Sequence, residues 1–261
     1  MKYMKITQII ILFLAVTLTF APTSTAWTWD THSAVVDQVY HSMPISIQSK
    51  LNLSAMRDGS NDPDQVFHDY RDHSYPNSYN KAVYYLNLAK SYYKEKKYNQ
   101  ASKDYGIASH YISDTFSAPH CVSGETSTQH QAYEKTGTKL TPHITVVNGD
   151  LKTLMQNGYI SGKTDWNYWE KTKNSYYVQK DLNLATSVTY KAIMNSLGSN
   201  SSPIITSPTN SKKYVGNKDT KKFHLISCRY ASQISSANKI YFSSRQDAIN
   251  HGYIPCKICK P

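Results

Sequence analysis

A mainly α-helical domain followed by a small α+β module is the fold class this sequence predicts. Three observations carry it. Apolar residues recur at helical spacing through most of the stretch from Ser33 to Leu197, and no convincing period-two run appears before Asn200. Residues 198–212 are rich in Ser, Pro, Thr and Asn, the composition of an extended linker. Beyond it, residues 213–261 combine short apolar runs with three of the four cysteines in the chain.

Taken in order, residues 1–26 read as a secretory signal. Lys2 and Lys5 form a basic start, Ile9 to Phe20 is an apolar run too short to span a bilayer comfortably, and Ser24-Thr25-Ala26 supplies small residues for cleavage. Cleavage after Ala26 makes Trp27 the first residue of a secreted or cell-surface protein. Ser33 to Tyr40 has helical patterning, and Pro44 can open a further helix through Leu53. Met56 to Pro76 contains Gly59, Asn61-Asp62-Pro63-Asp64 and a final Pro, which predicts a loop.

Asn77 to Lys97 and Tyr98 to Phe116 predict two long helices, the first with lysines in its last turn, where they suit the dipole. Thr128 to Lys135 is a short helix. Leu151 to Asn157 and Asp181 to Leu197 are further helices, with Trp166 and Trp169 between them. The tyrosines of this main domain, residues 27–197, read mainly as packing material. In residues 213–261, Tyr214-Val-Gly-Asn, Phe223-His224-Leu-Ile and Ile240-Tyr-Phe read as strands, and Ser243 to His251 as a helix. A module this small needs a staple.

Charge separates the two parts. Ser211 to Pro261 holds ten Lys/Arg against two Asp/Glu, a net +8; Trp27 to Asn210 holds 17 against 16, a net +1. A basic tail favours an anionic partner, nucleic acid or acidic polymer. Cys121 stands alone in the main domain, which therefore has no internal disulfide and reads Cys121 as an ordinary buried thiol.

The chemistry concentrates in residues 106–134. His110 and Asp114 are spaced i, i+4, as are His130 and Glu134, so each pair shares one helix face. Imidazole nitrogen and carboxylate oxygen are zinc ligands. His120 follows Ala118-Pro119, just past a predicted helix end. A trinuclear zinc site needs about nine protein ligands if each metal takes three or four. His32, Asp64 and His73 add three to those five, and a free α-amino group at Trp27, with its carbonyl, would chelate as the ninth. Asp62 and Asp72 are alternatives to Asp64, more naturally turn residues. His41, His68 and His143 read as surface residues.

These motifs resemble the zinc-dependent phospholipases C of bacilli and clostridia, which share a fold with fungal single-strand-specific zinc nucleases. The resemblance covers most of residues 27–134: a mature amino-terminal Trp27, His32, the Gly59-Ser-Asn-Asp-Pro-Asp64 loop leading to Asp72-His73, the His110-x3-Asp114-x5-His120 run, and the His130-x3-Glu134 pair. It implies three zinc sites. One takes Asp64, His73, His110 and Asp114. A second takes the Trp27 amino group and carbonyl, His32 and a bridging Asp114. The third takes His120, His130 and Glu134. The activity implied is phosphodiester hydrolysis without a protein nucleophile, with Asp64 also a proton acceptor and a phospholipid or membrane surface as substrate. The ligand set alone serves the nuclease branch equally.

The tail carries His224-x3-Cys228 and Cys256-x2-Cys259, a His/Cys3 set for one structural zinc. It resembles the Ada-like metal-binding module over about residues 213–261, with His224 where that module has a cysteine. A disulfide between two of the three cysteines is the competing reading. The module supports the nuclease alternative, and its charge implies binding to nucleic acid that weakens steeply with salt. A zinc-stabilised surface-binding protein without turnover is the third class. No protein partner is legible.

Overall fold

The computed structural model describes residues 27–199, 203, 214–242, 245–259 and 261. The expected leader, 1–26, and most of the expected linker, 198–212, lie outside the described residues. The chain divides into two compact units at the Pro203–Ile204 boundary.

The first unit is built of helices: α1 (Trp29–His41), α2 (Ile45–Gln48), α3 (Leu53–Gln65), α4 (Asn77–Lys94), α5 (Tyr98–Thr115), a 3-10 turn (Ala118–Cys121), α6 (Ser127–Gly137), α7 (Leu151–Thr172) and α8 (Ser175–Ser196). Its axis is α5. Fourteen of its 18 residues are buried, which a helix achieves only when neighbours cover every face. Those neighbours include α4, α3, α8, α1 and α7. The surrounding core is aromatic, with Trp27, Trp169, Tyr105, Tyr111, Tyr133 and Phe116 fully buried.

Three expectations about elements are corrected. Residues 56–76 are not one loop: α3 runs through Gly59 and Pro63 to Gln65, and only residues 66–76 are irregular. A side chain at Gly59 would place Cβ 2.0 Å from the Lys103 carbonyl oxygen on α5, and one at Gly106 would place Cβ 2.1 Å from the Met56 carbonyl oxygen on α3. The glycines are there so that the two backbones can touch. Packing against α5 holds α3 helical despite its weak intrinsic propensity, and Asn52 caps its start by accepting the Ala55 N–H at 3.1 Å. Likewise Trp166 and Trp169 do not sit between helices; they lie inside α7, a single 22-residue helix. Gly158 and Gly162 within it accommodate the Phe116 ring and the Cys121 thiol, each of which a Cβ there would meet at 2.1 and 2.4 Å. The helix expected from Pro44 to Leu53 is also shorter, ending after Gln48.

The second unit is a four-stranded sheet in the order β3-β1-β2-β4. Strands β1 (Tyr214–Asn217) and β2 (Lys222–Leu225) pair antiparallel with Val215 opposite His224; β3 (Lys239–Phe242) pairs antiparallel with β1, and β4 (Ile254–Pro255) parallel with β2. Besides the expected helix, here α10 (Arg245–Asn250), a one-turn α9 (Arg229–Ser232) follows Cys228 directly.

Candidate metal centre

The buried length of α5 sets His110 and Asp114 one turn apart on one face, with His110 Nε2 3.0 Å from Asp114 Oδ2. Asp64, near the end of α3, points at the same place because Gly59 and Gly106 let the two helices close up. Its Oδ1 lies 3.8 Å from both His110 Nε2 and His73 Nε2. His73 comes from the irregular segment and also approaches Asp114 Oδ2, at 3.2 Å through Nδ1. From the other side, His32 on α1 brings Nε2 to 3.4 Å from Asp114 Oδ1. The two oxygens of Asp114 therefore face different histidines. Two nitrogen or oxygen ligands on one tetrahedral zinc sit about 3.3 Å apart, given metal–ligand bonds of about 2.0–2.1 Å. The distances around Asp114 are of that size.

A second cluster joins His120 of the 3-10 turn to His130 and Glu134 of α6. His130 Nε2 is 2.7 Å and His120 Nε2 4.0 Å from Glu134 Oε1. The rings of His73 and His120, 5.7 Å apart, bring the two clusters next to each other.

The surrounding groups turn the histidines inward. His110 Nδ1–H donates to the Ser60 carbonyl at 2.8 Å, leaving Nε2 as a bare lone pair. The Ser113 hydroxyl donates to the His110 carbonyl at 3.0 Å, so it accepts from His32 Nδ1–H at 3.1 Å. His130 turns its Nδ1 to Glu125, 3.5 Å away. A histidine held by one ring nitrogen presents the other in a fixed direction, as metal sites require. What these atoms face is each other: the Nε2 atoms of His32, His73, His110 and His120, and both oxygens of Asp64 and of Asp114, are buried without a hydrogen-bond partner among the described residues. Such a concentration of orphaned polar atoms is costly unless a cation satisfies them. The residues thus fit a metal.

The electrostatics agree. Burial lifts the Asp114 carboxyl to about 7 against a partly opposing effect of His73, and the Trp27 backbone N–H lies close enough to pull in the same opposing direction. Burial lifts Asp64 to about 6, opposed by His110, and drives Glu134 well above the carboxylate range. It pushes His32 and His120 well below the ordinary histidine value, and His73 and His110 down less far. By itself the fold favours neutral forms throughout, and a divalent cation reverses that preference for the carboxylates.

All eight predicted side chains of this unit gather in these clusters. The Trp27 backbone N–H lies close to Asp114; Trp27 is fully buried and its indole N–H donates to the Ser113 carbonyl at 3.1 Å. The alternatives fall elsewhere: Asp62 pairs with Lys103 at 2.9 Å and Asp72 with Lys81 at 3.2 Å. His41 and His68 are exposed and His143 half-buried, while Cys121 is a buried free thiol. In the second unit, His224, Cys228, Cys256 and Cys259 converge, each ligand atom within 4.8 Å of the others. His224 Nδ1 is 3.6 Å from Cys228 Sγ, and all three cysteines are free.

Sequence reading missed Ser60 and Ser113, which orient histidines, Glu125, which lies 3.5 Å from His130 Nδ1, and Tyr111, whose hydroxyl donates to Asp69 at 2.8 Å while its ring meets His73 and His110 edge-on. Asp69 in turn lines an open groove of about 540 Å³ together with Phe67, Tyr70, Lys81 and Tyr85. The position of Tyr111 between His110 and Asp114 was the available signal.

A bundle around a buried, histidine- and carboxylate-rich cluster defines an α-helical metal-binding protein. The chain belongs to the zinc dependent phospholipase C family, whose model matches residues 31–200. Residues 207–261 match the metal binding domain of Ada. Among solved structures, the fold is similar to that of the alpha toxin from Clostridium absonum, at 18% identity and a TM-score of 0.53, covering 74% of this chain and 68% of the toxin. No curated protein matches. Among the described residues, no helix is long and apolar enough to cross a membrane.

Proposed function

We propose that the first unit is a secreted, zinc-dependent phosphodiester hydrolase of phospholipase C type, with phospholipid as substrate. The observation that carries this reading is Asp114, whose two oxygens face separate histidine sets while His120, His130 and Glu134 stand beside them. Asp64, His73, His110 and Asp114 would hold one zinc. Trp27, through its amino group and carbonyl, would hold a second with His32 and Asp114. His120, His130 and Glu134 would hold the third. Zinc in such a site lowers the pKa of water to about 7 and neutralises phosphoryl charge.

The chain's own residues then orient and protect. Ser60 and Ser113 keep the His110 and His32 rings in one tautomer. Asp64, whose carboxylate faces His73 and His110, would also serve as proton acceptor. Removal of the leader after Ala26 frees the Trp27 amino group beside Asp114. His224, Cys228, Cys256 and Cys259 would hold one structural zinc in the second unit.

A second reading, a single-strand nuclease, draws support from the +8 tail; a binding protein without turnover is the third. The deciding experiment gives the processed protein phosphatidylcholine and single-stranded DNA, with and without chelator. Phosphocholine release that chelator abolishes is expected. Cleavage of DNA alone selects the second reading, and full zinc loading without turnover the third. Asp114→Ala should lose activity by at least about 10³-fold together with bound zinc; retention of both excludes the site.

A further inference from the structure

We propose that Asp181, backed by Asp165 and Lys180, is a positioning residue for the ligand pair His130 and Glu134, acting through Tyr133. The inference deepens the three-zinc reading above and rests on it. α6 has eleven residues, of which His130, Tyr133, Glu134 and Gly137 are buried. Two of the four face the cluster, and Gly137 has no side chain to anchor. Tyr133 is therefore the one large side chain fixing this helix to the interior apart from the ligands themselves. It directly precedes Glu134 and follows His130 by three residues, so any displacement of Tyr133 carries both along.

The Tyr133 ring lies among three indoles, with centroids 5.5 Å from Trp27, 5.1 Å from Trp169 and 6.0 Å from Trp166. Aromatic packing of this kind admits several offsets of similar energy. A buried hydroxyl is more exacting, because it must keep its partner. Tyr133 donates to Asp181 Oδ2 on α8 at 2.5 Å. Asp181 is 2% exposed, and the carboxyl group of Asp165 on α7 is near enough to raise its pKa further. Lys180 Nζ holds both oxygens of Asp165, at 2.9 and 2.6 Å. The Tyr133 hydroxyl thus ties α6 to α8 in the interior, while Gln129 meets Glu170 of α7 at the surface. A metal site is sensitive to ligand displacements of about 0.5 Å. The contact also reaches Trp27, since a Cβ at Gly137 would lie 2.5 Å from its ring: α6 rests on the residue proposed to contribute its amino group to a neighbouring zinc.

The test is a zinc titration of the full processed chain against a chromophoric chelator, with thermal unfolding recorded in parallel. Tyr133→Phe should weaken one zinc equivalent by at least about tenfold and leave the others within twofold. Asp181→Asn, which retains an oxygen acceptor, should weaken that same equivalent less. A fall in Tm with every zinc affinity unchanged, or weakened alike, would show a purely structural contact and overturn the proposal. Should Tyr133→Phe fail to fold, Asp181→Asn decides by the same criterion. A wild-type protein lacking a third equivalent in the first unit brings down the three-zinc reading itself, whereas a normal wild type with unaffected variants brings down only the role of Asp181.

Discussion

Asp114 is the residue on which burial and function pull in opposite directions. It is fully buried, its two oxygens have no hydrogen-bond partner, and histidines surround it. His73 and the Trp27 backbone N–H offset that desolvation only in part, and burial lifts its carboxyl to about 7. Asp104, on the same helix but outside the cluster, is a control for this argument. Burial raises it to about 6, with Lys103 opposing, and its Oδ2 has no partner. A raised carboxyl contributes stability that is fully present below the unfolded value of 3.8 and is lost as pH rises through about 6. Asp104→Asn, which imitates the protonated form, should therefore raise the Tm at about pH 8 and leave it nearly unchanged at about pH 4. Equal shifts at both pH values would show that ionisation is not the cost.

At the scale of elements, the close contact between α3 and α5 does most to assemble the site. Asp64 rides on α3 and His110 on α5, and backbone contact at Gly59 and Gly106 brings them within reach. Gly106→Ala should destabilise the fold by about 3 kcal/mol, since the new Cβ meets backbone that cannot turn aside. Chemical denaturation measures this, and zinc retention should fall with it because the two ligands separate. A variant of unchanged midpoint would mean that the helices can shift freely. The 3-10 turn acts in the same way on a smaller scale. It ends α5 and delivers His120, while Gly158 and Gly162 let α7 lie against it.

For the whole molecule, chemistry and charge belong to different units. The clusters of histidine and carboxylate lie in a nearly neutral stretch, and the +8 excess lies beyond Ser211. Raising salt from about 50 to 200 mM should therefore loosen any retention on polyanions by at least about tenfold, while phospholipid turnover on a neutral, dispersed substrate stays within twofold. Retention on single-stranded DNA columns and phosphocholine release, measured at the same salts, check this together. Parallel losses would show that the tail participates in turnover.

What the amino-acid sequence determined by itself was whatever repeats over one helical turn or one short motif. His110 with Asp114, His130 with Glu134, and the His224-x3-Cys228 and Cys256-x2-Cys259 pairs are legible because their geometry is set by local backbone alone. The long helices α4, α5 and α8 were legible from apolar spacing. Only the tertiary structure decided that Gly59 and Pro63 lie inside a helix, that Trp166 and Trp169 lie inside another, that Ser60 and Ser113 hold the His110 and His32 rings, and that Tyr133 meets Asp181. The physical reason is the same in each case. Glycine and proline read locally as breaks, and a hydrogen bond joining residues dozens of positions apart leaves no periodic trace; both acquire their meaning from a neighbouring element that the local sequence does not contain.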